Sequence, residues 1–150
     1  MQNWIVVGSA ENFELLRERG FDLAAFKASR SKQAAGMRPG DHIVFYLTKV
    51  VQFGGIVEVT SEAFADDSDI GLHSEAKETE RFPNRIHVKP HVIAAPGEEI
   101  DVREITDLLE KTRRLGPKKL GMAFRGNLHK ISQDDYDQIE GLLRASAAVA

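Results

Sequence analysis

The first third of the chain alternates apolar runs with turn-forming residues, which predicts a strand followed by two helices. Residues 3–8 are mostly β-branched or aromatic without polar alternation, a pattern typical of a strand buried on both faces. Ser9 is a favourable helix N-cap, Phe13 begins an apolar stripe at helical spacing, and Gly20 suits the left-handed residue after a helix. A weaker helix is predicted over 29–35. The chain therefore opens with a central strand that runs directly into a helix.

Two strands are predicted in the middle of the chain, each introduced by glycine. Pro39 and Gly40 occupy the central positions of a type II turn, which leads into an apolar strand at 42–48. The pair Gly54-Gly55 precedes a strand at 56–60 and allows close approach of another backbone or a ligand.

A fourth strand is predicted from Arg85, where apolar and polar residues alternate and Pro90 limits continuous pairing. One face of this strand is predicted to be core and the other basic. The core face comprises Ile86, Val88 and Val92, and the basic face comprises Arg85, His87, Lys89 and His91.

The last third of the chain predicts two helices separated by a short strand. Asp101 and Glu104 have capping-box spacing, so a helix is predicted from 101 to its end at Gly116. A short strand is predicted at 120–124, and Ser132 is the expected N-cap of the last helix. Strands and helices do not alternate strictly, which favours an α+β fold with a curved sheet or small open barrel over a doubly wound sheet.

Composition describes an ordinary globular protein of 150 residues, 42% hydrophobic and 29% charged. One domain is expected over 1–145, followed by a frayed tail at 146–150. An apolar run of about 18 residues and a signal-peptide pattern are both lacking, so neither membrane insertion nor export is expected. The chain has no cysteine, which excludes disulfides and thiol catalysis, and a cytoplasmic location is expected.

The net charge of −3 conceals a separation of acidic from basic residues along the chain. Eight acidic residues and one lysine lie between Glu58 and Glu80, whereas seven basic residues and no acidic one lie between Lys111 and Lys130. The basic segment can attract phosphate and the acidic segment would repel it. Both segments also fit the simpler interpretation of solvated surfaces that keep the protein soluble.

The sequence does not arrange residues for catalysis or metal binding. His87 and His91 share one face of an extended strand about 13 Å apart, too far for one ion to bridge with ligands at about 2.1 Å. Ser9 follows a strand, but its neighbours lack the second glycine of a nucleophile elbow. Residues 116–119 lack the spacing of a phosphate-binding loop. We therefore expect neither an enzyme nor a metal or cofactor.

Several short motifs in a fixed order resemble one known family. The resemblance covers about residues 3–143. Each motif alone is weak, but the order and spacing of all the motifs together are specific. The motifs are Asn3-Trp4-Ile5-Val6-Val7, Ser9-Ala10-Glu11-Asn12-Phe13, Pro39-Gly40-Asp41-His42-Ile43-Val44-Phe45-Tyr46, Gly54-Gly55-Ile56, Glu58-Val59-Thr60-Ser61, Phe82-Pro83-Asn84-Arg85 and Ala123-Phe124-Arg125-Gly126-Asn127-Leu128. Together they look like an EVE domain. The resemblance implies a PUA-like fold, a curved pseudo-barrel flanked by helices and related to YTH domains, and binding of modified bases in DNA or RNA.

The resemblance also implies which residues line the base pocket. A flipped base needs flat apolar surfaces on its faces and fixed donors and acceptors at its edge, and amide side chains such as Asn12 and Asn127 can both donate and accept. The implied pocket residues are Ser9, Asn12, Phe21, Tyr46, Thr48, Phe82, Pro83, Arg85, Phe124 and Asn127.

The chain departs from the family pattern in its tryptophans. Related sequences commonly place them after the first helix, in the acidic loop and before the Ala-Phe-x-Gly-Asn stretch, where this chain has Phe21-Asp22, Gly71-Leu72 and Leu120-Gly121. The lone tryptophan, Trp4, falls in the first strand. Either a phenylalanine substitutes in the aromatic cage, or the ligand is different, smaller or weakly bound. The candidate substitutes are Phe21, Phe26, Phe53 and Phe82.

The leading hypothesis is a non-catalytic module that binds a modified base of DNA or RNA and holds the nucleic-acid backbone through basic side chains. The alternatives are an enzyme acting on a nucleotide or nucleic acid through Arg85, His87 and Tyr46, or a regulatory protein-interaction domain using the acidic loop 62–80. The candidate phosphate-binding residues are Arg30, Lys32, Arg113, Arg114, Lys118, Lys119 and Arg125.

Overall fold

The computed structural model describes residues 1–72, 81–126 and 128–146 and the backbone of 148–149. Nine strands and four α-helices lie in this part of the chain. The strands are β1 (Asn3–Gly8), β2 (Leu23–Phe26), β3 (His42–Leu47), β4 (Gln52–Val59), β5 (Phe64–Ala65), β6 (Asn84–Ala94), β7 (Ile100–Asp101), β8 (Leu128–Ile131) and β9 (Ala148–Val149). The helices are α1 (Ala10–Glu18), α2 (Ser31–Ala35), α3 (Leu120–Ala123) and α4 (Gln133–Ala145).

The strands form one curled mixed sheet in the order β2-β6-β4-β3-β1-β8. β1 and β3 are parallel, and the other pairs along this path are antiparallel. Short strands extend the sheet, because β5 and β9 pair with β6 and β7 pairs with β4. The sheet forms a half-barrel flanked by helices, which confirms the predicted α+β fold with a curved sheet.

Two hydrophobic clusters occupy the two faces of the sheet. One contains Trp4, Phe13 and Phe45, and the other contains Tyr46 and Phe124. Neighbouring residues of β3 fall in different clusters because successive side chains of a strand point to opposite faces. The apolar runs without alternation therefore mark strands that are covered on both sides, as predicted for residues 3–8.

The first half of the chain follows the prediction closely. The Ser9 hydroxyl accepts a hydrogen bond from the Asn12 backbone N–H at 3.1 Å, and Gly20 has a left-handed φ of +79° after α1. β3 is as predicted, and α2 forms within the segment predicted to be helical. β4 begins at Gln52, so Gly54-Gly55 lie inside this strand rather than before it. The prediction missed β2, whose four residues Leu-Ala-Ala-Phe fit a helix as well as a strand.

Residues 101–116 do not form the predicted helix. They contain two single 3₁₀ turns, Val102–Glu104 and Thr106–Leu108, followed by irregular turns. The predicted strand at 120–124 is also wrong, because α3 begins at Leu120. The prediction missed β8, which forms the sheet edge by pairing antiparallel with β1.

One side of β6 differs from its prediction. His87 and Lys89 are exposed as expected, but Arg85 is 3% exposed and its guanidinium lies inside the protein.

The C-terminal segment 146–150 was predicted to fray, but the backbone of Ala148–Val149 pairs with β6. None of the helices in the described part of the chain has the length and apolar character needed to cross a bilayer.

Candidate functional site

A cavity of about 220 Å³ opens where the adjacent parallel strands β1 and β3 end. The start of α1, strand β2 and two loop residues complete its walls, and we call it the base pocket after the hypothesis drawn from the sequence. Four of the residues that the sequence assigned to such a pocket line it, namely Ser9, Asn12, Thr48 and Phe82. The remaining lining residues are Val6, Val7, Gly8, Phe13, Leu16, Ala24, Ala25, Phe26, Lys27, Phe45, Leu47 and Leu72.

Packed phenylalanines form the floor of the base pocket. Phe13 lies 5.1 Å from Phe21 and 5.4 Å from Phe45 between ring centroids, and both ring pairs are tilted. Gly54 makes room for this packing, because a Cβ atom there would lie 2.8 Å from Cζ of Phe13. Phe21 was predicted in the pocket, but it packs behind Phe13 rather than lining the cavity. The expected close approach of another backbone occurs at Gly55, where a Cβ atom would lie 3.1 Å from the Val92 carbonyl oxygen, whereas the neighbour at Gly54 is a core ring.

Polar groups lie at the strand ends on the rim of the base pocket. Ser9 uses its hydroxyl oxygen to cap α1, which leaves the hydroxyl hydrogen as a donor. The Thr48 backbone N–H donates to the Gly8 carbonyl at 2.8 Å, and its hydroxyl oxygen lies 3.3 Å from the same carbonyl. Asn12 adds an amide that can donate and accept. The rim therefore offers both hydrogen-bond types beside an apolar floor.

A buried arginine fixes the segment that carries Phe82. Arg85 donates from Nε to the Phe82 carbonyl at 2.7 Å and from its guanidinium to the Ser68 carbonyl. Asp66 donates its backbone N–H to the Pro83 carbonyl at 2.9 Å. Arg85 and Pro83 do not line the base pocket, in contrast to the prediction, but their hydrogen bonds hold the Phe82 ring against it.

Tyr46 and Phe124 lie on the opposite face of the sheet from the base pocket, so their predicted place in it is wrong. Their rings stack at 4.0 Å with an interplanar angle of 12°, and both are buried. Phe53 packs edge-on against both rings. Burial raises the pKa of the Tyr46 hydroxyl. These side chains belong to the second hydrophobic cluster.

The residues of the alternative enzymatic hypothesis lie in three different environments. Tyr46 stacks in the core, Arg85 bonds to backbone carbonyls, and His87 is exposed with its ring 4.8 Å from that of Phe64. Asn127, the remaining predicted pocket residue, lies outside the described residues.

The predicted phosphate-binding residues do not share one surface. Lys32, Arg114, Lys119 and Arg125 are exposed, and Lys118 lines a shallow depression beside Tyr46. Arg113 lies in a shallow cleft with Glu110, Asp134, Asp135 and Asp137, which repel phosphate.

Three basic side chains meet at the β8 edge of the sheet, and we call Arg30, Lys111 and His129 the edge cluster. Arg30 Nη2 and His129 Cε1 lie 3.3 and 3.7 Å from the position that a Cβ atom on Gly126 would occupy. Burial, together with Lys111 and Arg30, lowers the pKa of His129, and burial lowers the pKa of Lys111. Among the described residues, Nε of Arg30 and Nε2 of His129 are buried without a hydrogen-bond partner.

One structural link joins the edge cluster to the base pocket, although His129 itself belongs to the other face of the sheet. His129 pairs with Ile5 in β1, so its side chain shares the face of Ile5 and not that of Val6, which lines the pocket. Lys27 also lines the pocket, and Arg30 ends the 3₁₀ turn that follows it.

The comparisons with known proteins agree with this architecture. The family model described as "EVE domain" matches residues 2–142. The chain belongs to the EVE domain family. No curated protein sequence matches it.

Solved structures share the fold of this EVE domain at low sequence identity. The Pho92 YTH domain in complex with m6A has a TM-score of 0.68 at 13% identity, covering 99% of this chain and 88% of its own. The YTH domain of Zygosaccharomyces rouxii MRB1 in complex with N6-methyladenosine RNA has a TM-score of 0.65 at 13% identity, covering 96% and 87%. Human THYN1 in complex with 5-methylcytosine DNA has a TM-score of 0.62 at 16% identity, covering 95% and 98%. The predicted PUA-like fold is thereby confirmed.

The structure also locates the positions where the family resemblance led us to expect tryptophan. Leu72 in the acidic loop lines the base pocket of this EVE domain, so an aliphatic side chain occupies one of these positions. Of the four phenylalanines considered as substitutes, Phe26 and Phe82 line the cavity, whereas Phe21 and Phe53 do not. Trp4 is buried away from it, and its indole N–H donates to Asp41 at 3.2 Å.

Sequence analysis missed residues whose role depends on tertiary contacts. Lys111 belongs to the basic segment but was not singled out, and its position depends on Asp135, which is 4% exposed. The Asp135 carboxylate accepts from the backbone N–H groups of Glu110 and Lys111 at 2.7 and 3.1 Å. An acidic residue three positions after the Ser132 cap usually signals helix capping, which concealed this second role.

Proposed function

We propose that this EVE domain is a non-catalytic nucleic-acid-binding module that takes one modified base of DNA or RNA into the base pocket. The edge cluster binds a phosphate of the same strand. The observation that carries the proposal is the cavity itself, which combines a phenylalanine floor with a polar rim at the ends of two parallel strands.

The size and lining of the base pocket suit a single base. Its volume of about 220 Å³ lies below the roughly 300–1,000 Å³ typical of pockets for drug-sized ligands. Phe82 and Leu72 offer apolar surface, while Ser9, Asn12 and Thr48 offer donors and acceptors for a base edge. Apolar lining also favours an added methyl group, because its transfer from water to an apolar site contributes about 0.8 kcal/mol.

The edge cluster supports the phosphate contact. Like charges gathered at a partly buried place cost free energy, which an anion would offset. Nε of Arg30 and Nε2 of His129 have no hydrogen-bond partner among the described residues. Nε of Arg30 can donate to a phosphate oxygen, and Nε2 of His129 can do so in the tautomer that carries its proton there. The lowered pKa of His129 keeps this residue neutral near pH 7. The positive charge of the edge cluster therefore comes from Arg30 and Lys111.

The non-catalytic part of the proposal rests on the environments of the polar side chains. Ser9 caps a helix and Thr48 bonds to a backbone carbonyl, so within the described part of the chain neither hydroxyl has a general base as its hydrogen-bond partner. Three of the solved structures that share the fold are complexes with m6A, N6-methyladenosine RNA and 5-methylcytosine DNA.

The test is a panel of matched short DNA and RNA strands that differ only in one methylated base. We expect the wild-type protein to bind one methylated strand at least about fivefold more tightly than its plain counterpart, since edge and methyl contacts contribute about 1–3 kcal/mol. Asn12→Ala should reduce this ratio, and Phe82→Ala should weaken binding of both strands by removing apolar surface.

The phosphate contact is measured separately through salt dependence. Arg30→Ala should lower affinity for both strands equally and reduce the slope of log K against log salt by about one. Lys32→Ala, an exposed cation two residues away, is the matched control and should leave the slope nearly unchanged. Equal affinity for every methylated and plain strand in the panel would contradict the base pocket, and an unaltered slope in Arg30→Ala would contradict the edge cluster.

A further inference from the structure

A second group of side chains comes together far from the base pocket. His42 at the start of β3 pairs directly with Glu58 in β4, and β4 pairs with β6, which carries His91. One ligand atom from each of His42, Glu58 and His91 lies within 4.8 Å of the others. The sequence-based expectation of no clustered histidines considered His87 with His91 and is wrong for this trio.

A β-bulge aims His91 at the other two residues. Ile56 pairs with Val92 and the next residue, Val57, pairs with Pro90, so His91 is the extra residue on β6. A bulged residue is left out of the ladder, and this changes the direction of its side chain. His91 is 26% exposed at its side chain and Glu58 is 30% exposed, so solvent reaches the group.

Packing fixes the imidazole rings in place. The His42 ring stacks on Tyr136 of α4 at 4.9 Å and lies 4.7 Å from the His91 ring. Glu140 lies 3.5 Å from Nε2 of His91, and a carboxylate at the second ring nitrogen is the usual partner of a metal-bound histidine.

We propose that His42, Glu58 and His91 bind one divalent transition-metal ion of the Zn²⁺ class. Two imidazoles and a carboxylate are a ligand set that Zn²⁺ accepts, with bonds of about 2.0–2.2 Å. Such bonds place tetrahedral ligand atoms about 3.4 Å apart, so the observed limit of 4.8 Å requires only a small inward rotation of side chains. Water completes the coordination, while Glu140 remains beside His91 and bound to Arg144.

Two cations border the site without blocking it. Lys89 Nζ lies 3.5 Å from Glu58, but its side chain is 61% exposed and can swing into solvent. Arg144 donates a hydrogen bond to Glu140 at 2.9 Å, and its Nη2 atom also lies 3.4 Å from His91 Nε2. Arg144 and Glu140 therefore compete for the same nitrogen of His91. Metal binding therefore requires that Lys89 move away from Glu58, whereas Arg144 can keep its hydrogen bond to Glu140.

The ion would act as a structural clamp rather than as part of base binding. His42 begins β3 and the base pocket lies at its far end, about 17 Å away for five residues of extended chain. Coordination would join β3, β4 and the bulge of β6. Because binding occurs only in the folded chain, the ion would raise stability and leave the affinity for nucleic acid unchanged.

The test uses chelator-stripped full chain, titrated with Zn²⁺ by calorimetry, and Co²⁺ absorption as a spectroscopic probe of coordination. We expect one ion per chain and a melting temperature that rises with Zn²⁺. His91→Gln and Glu58→Gln should each weaken Zn²⁺ binding by at least about tenfold and abolish the rise. His87→Gln, an exposed histidine on the same strand, is the matched control and should behave as wild type.

Each ligand variant is checked without metal, and the proposal needs only one of the two to fold. No stoichiometric Zn²⁺ binding to the wild type in the micromolar range would overturn it. Equal affinity in a folded His91→Gln or Glu58→Gln variant would overturn it as well, as would loss of binding in His87→Gln. Nucleic-acid affinity is measured in parallel, so a failure of the proposed base pocket remains separate.

Discussion

Replacing Gly54 with alanine should damage the floor of the base pocket. A Cβ atom at this position would lie 2.8 and 2.9 Å from two Phe13 ring atoms and 3.1 Å from Cδ1 of Leu47. Carbon atoms prefer separations of about 3.5–4.0 Å, so the Phe13 ring would have to move by roughly 0.6–1.2 Å. Its contacts with Phe21 and Phe45 oppose that movement.

The net effect follows from two opposing free energies. Overpacking a core costs about 1–3 kcal/mol, whereas replacing glycine by alanine within a strand returns about 0.5–1 kcal/mol of unfolded-state entropy. Gly54 does not have a positive φ, so the alanine backbone is unstrained. We expect Gly54→Ala to lower the free energy of unfolding by about 0.5–2 kcal/mol, or the melting temperature by roughly 1–8 °C.

Urea unfolding, with the single Trp4 as the fluorophore, measures this loss, and the methylated strand panel measures the accompanying change in affinity. Gly141→Ala is the matched control, because its Cβ atom would meet nothing within 4 Å in α4. It should stabilise the protein by about 0.5–1 kcal/mol through helix propensity. A Gly54→Ala variant as stable as wild type, with unchanged affinity, would refute the reasoning that Phe13 is held in place.

Three further predictions concern single side chains. Leu72→Trp adds an aromatic surface to the base pocket and should tighten binding of the preferred base by about 1–3 kcal/mol; unchanged affinity would argue that Leu72 does not face the ligand. Arg85→Met leaves the Phe82 and Ser68 carbonyls without their donor and should lower the free energy of unfolding by about 2 kcal/mol or more in urea, whereas a loss below 0.5 kcal/mol would rule out this structural role. The pKa of His129 is lowered in the folded state, so the unfolded imidazole is protonated first and the free energy of unfolding falls as pH drops below about 6.5. His129→Gln should make the fall in this free energy between pH 7 and 5 shallower, and an identical fall in both proteins would contradict the assignment.

The parts of the fold that could be predicted from sequence are those fixed by local interactions. Ser9 and Ser132 each cap the helix that follows by accepting a backbone N–H three residues on, and Pro39-Gly40 forms its turn. These signals lie within a few residues of one another. The strand β1 was also predictable, because an apolar run without alternation fits few other structures.

The region 101–116 could not be predicted because distant residues determine its backbone. The Asp101 side chain accepts from the Arg103 N–H, two residues on, and the helix stops after one turn. Thr112 donates its hydroxyl to the Thr106 carbonyl at 2.8 Å, and Asp135 of α4 takes the N–H groups of the following turn. A carboxylate 25 residues away thereby replaces the helical hydrogen bonds.

The candidate site could be predicted only where local sequence patterns determine the position of a residue. Ser9, Asn12 and Thr48 lie at strand ends, which sequence patterns locate well. Tyr46 was misplaced because a one-residue difference decides which face of a strand a side chain occupies. The edge cluster and the trio around His42 involve residues far apart in sequence, and neither has a local signal.

The position of β1 has a consequence for how the chain folds. β1 lies between β3 and β8, so it finds its second neighbour only when residues 128–131 are available. Such non-local pairing slows folding, because a loop of more than one hundred residues must close before the contacts form. Until then β1 has an open edge of unpaired backbone groups, and chains that end before residue 128 should depend on chaperones more than chains that contain β8.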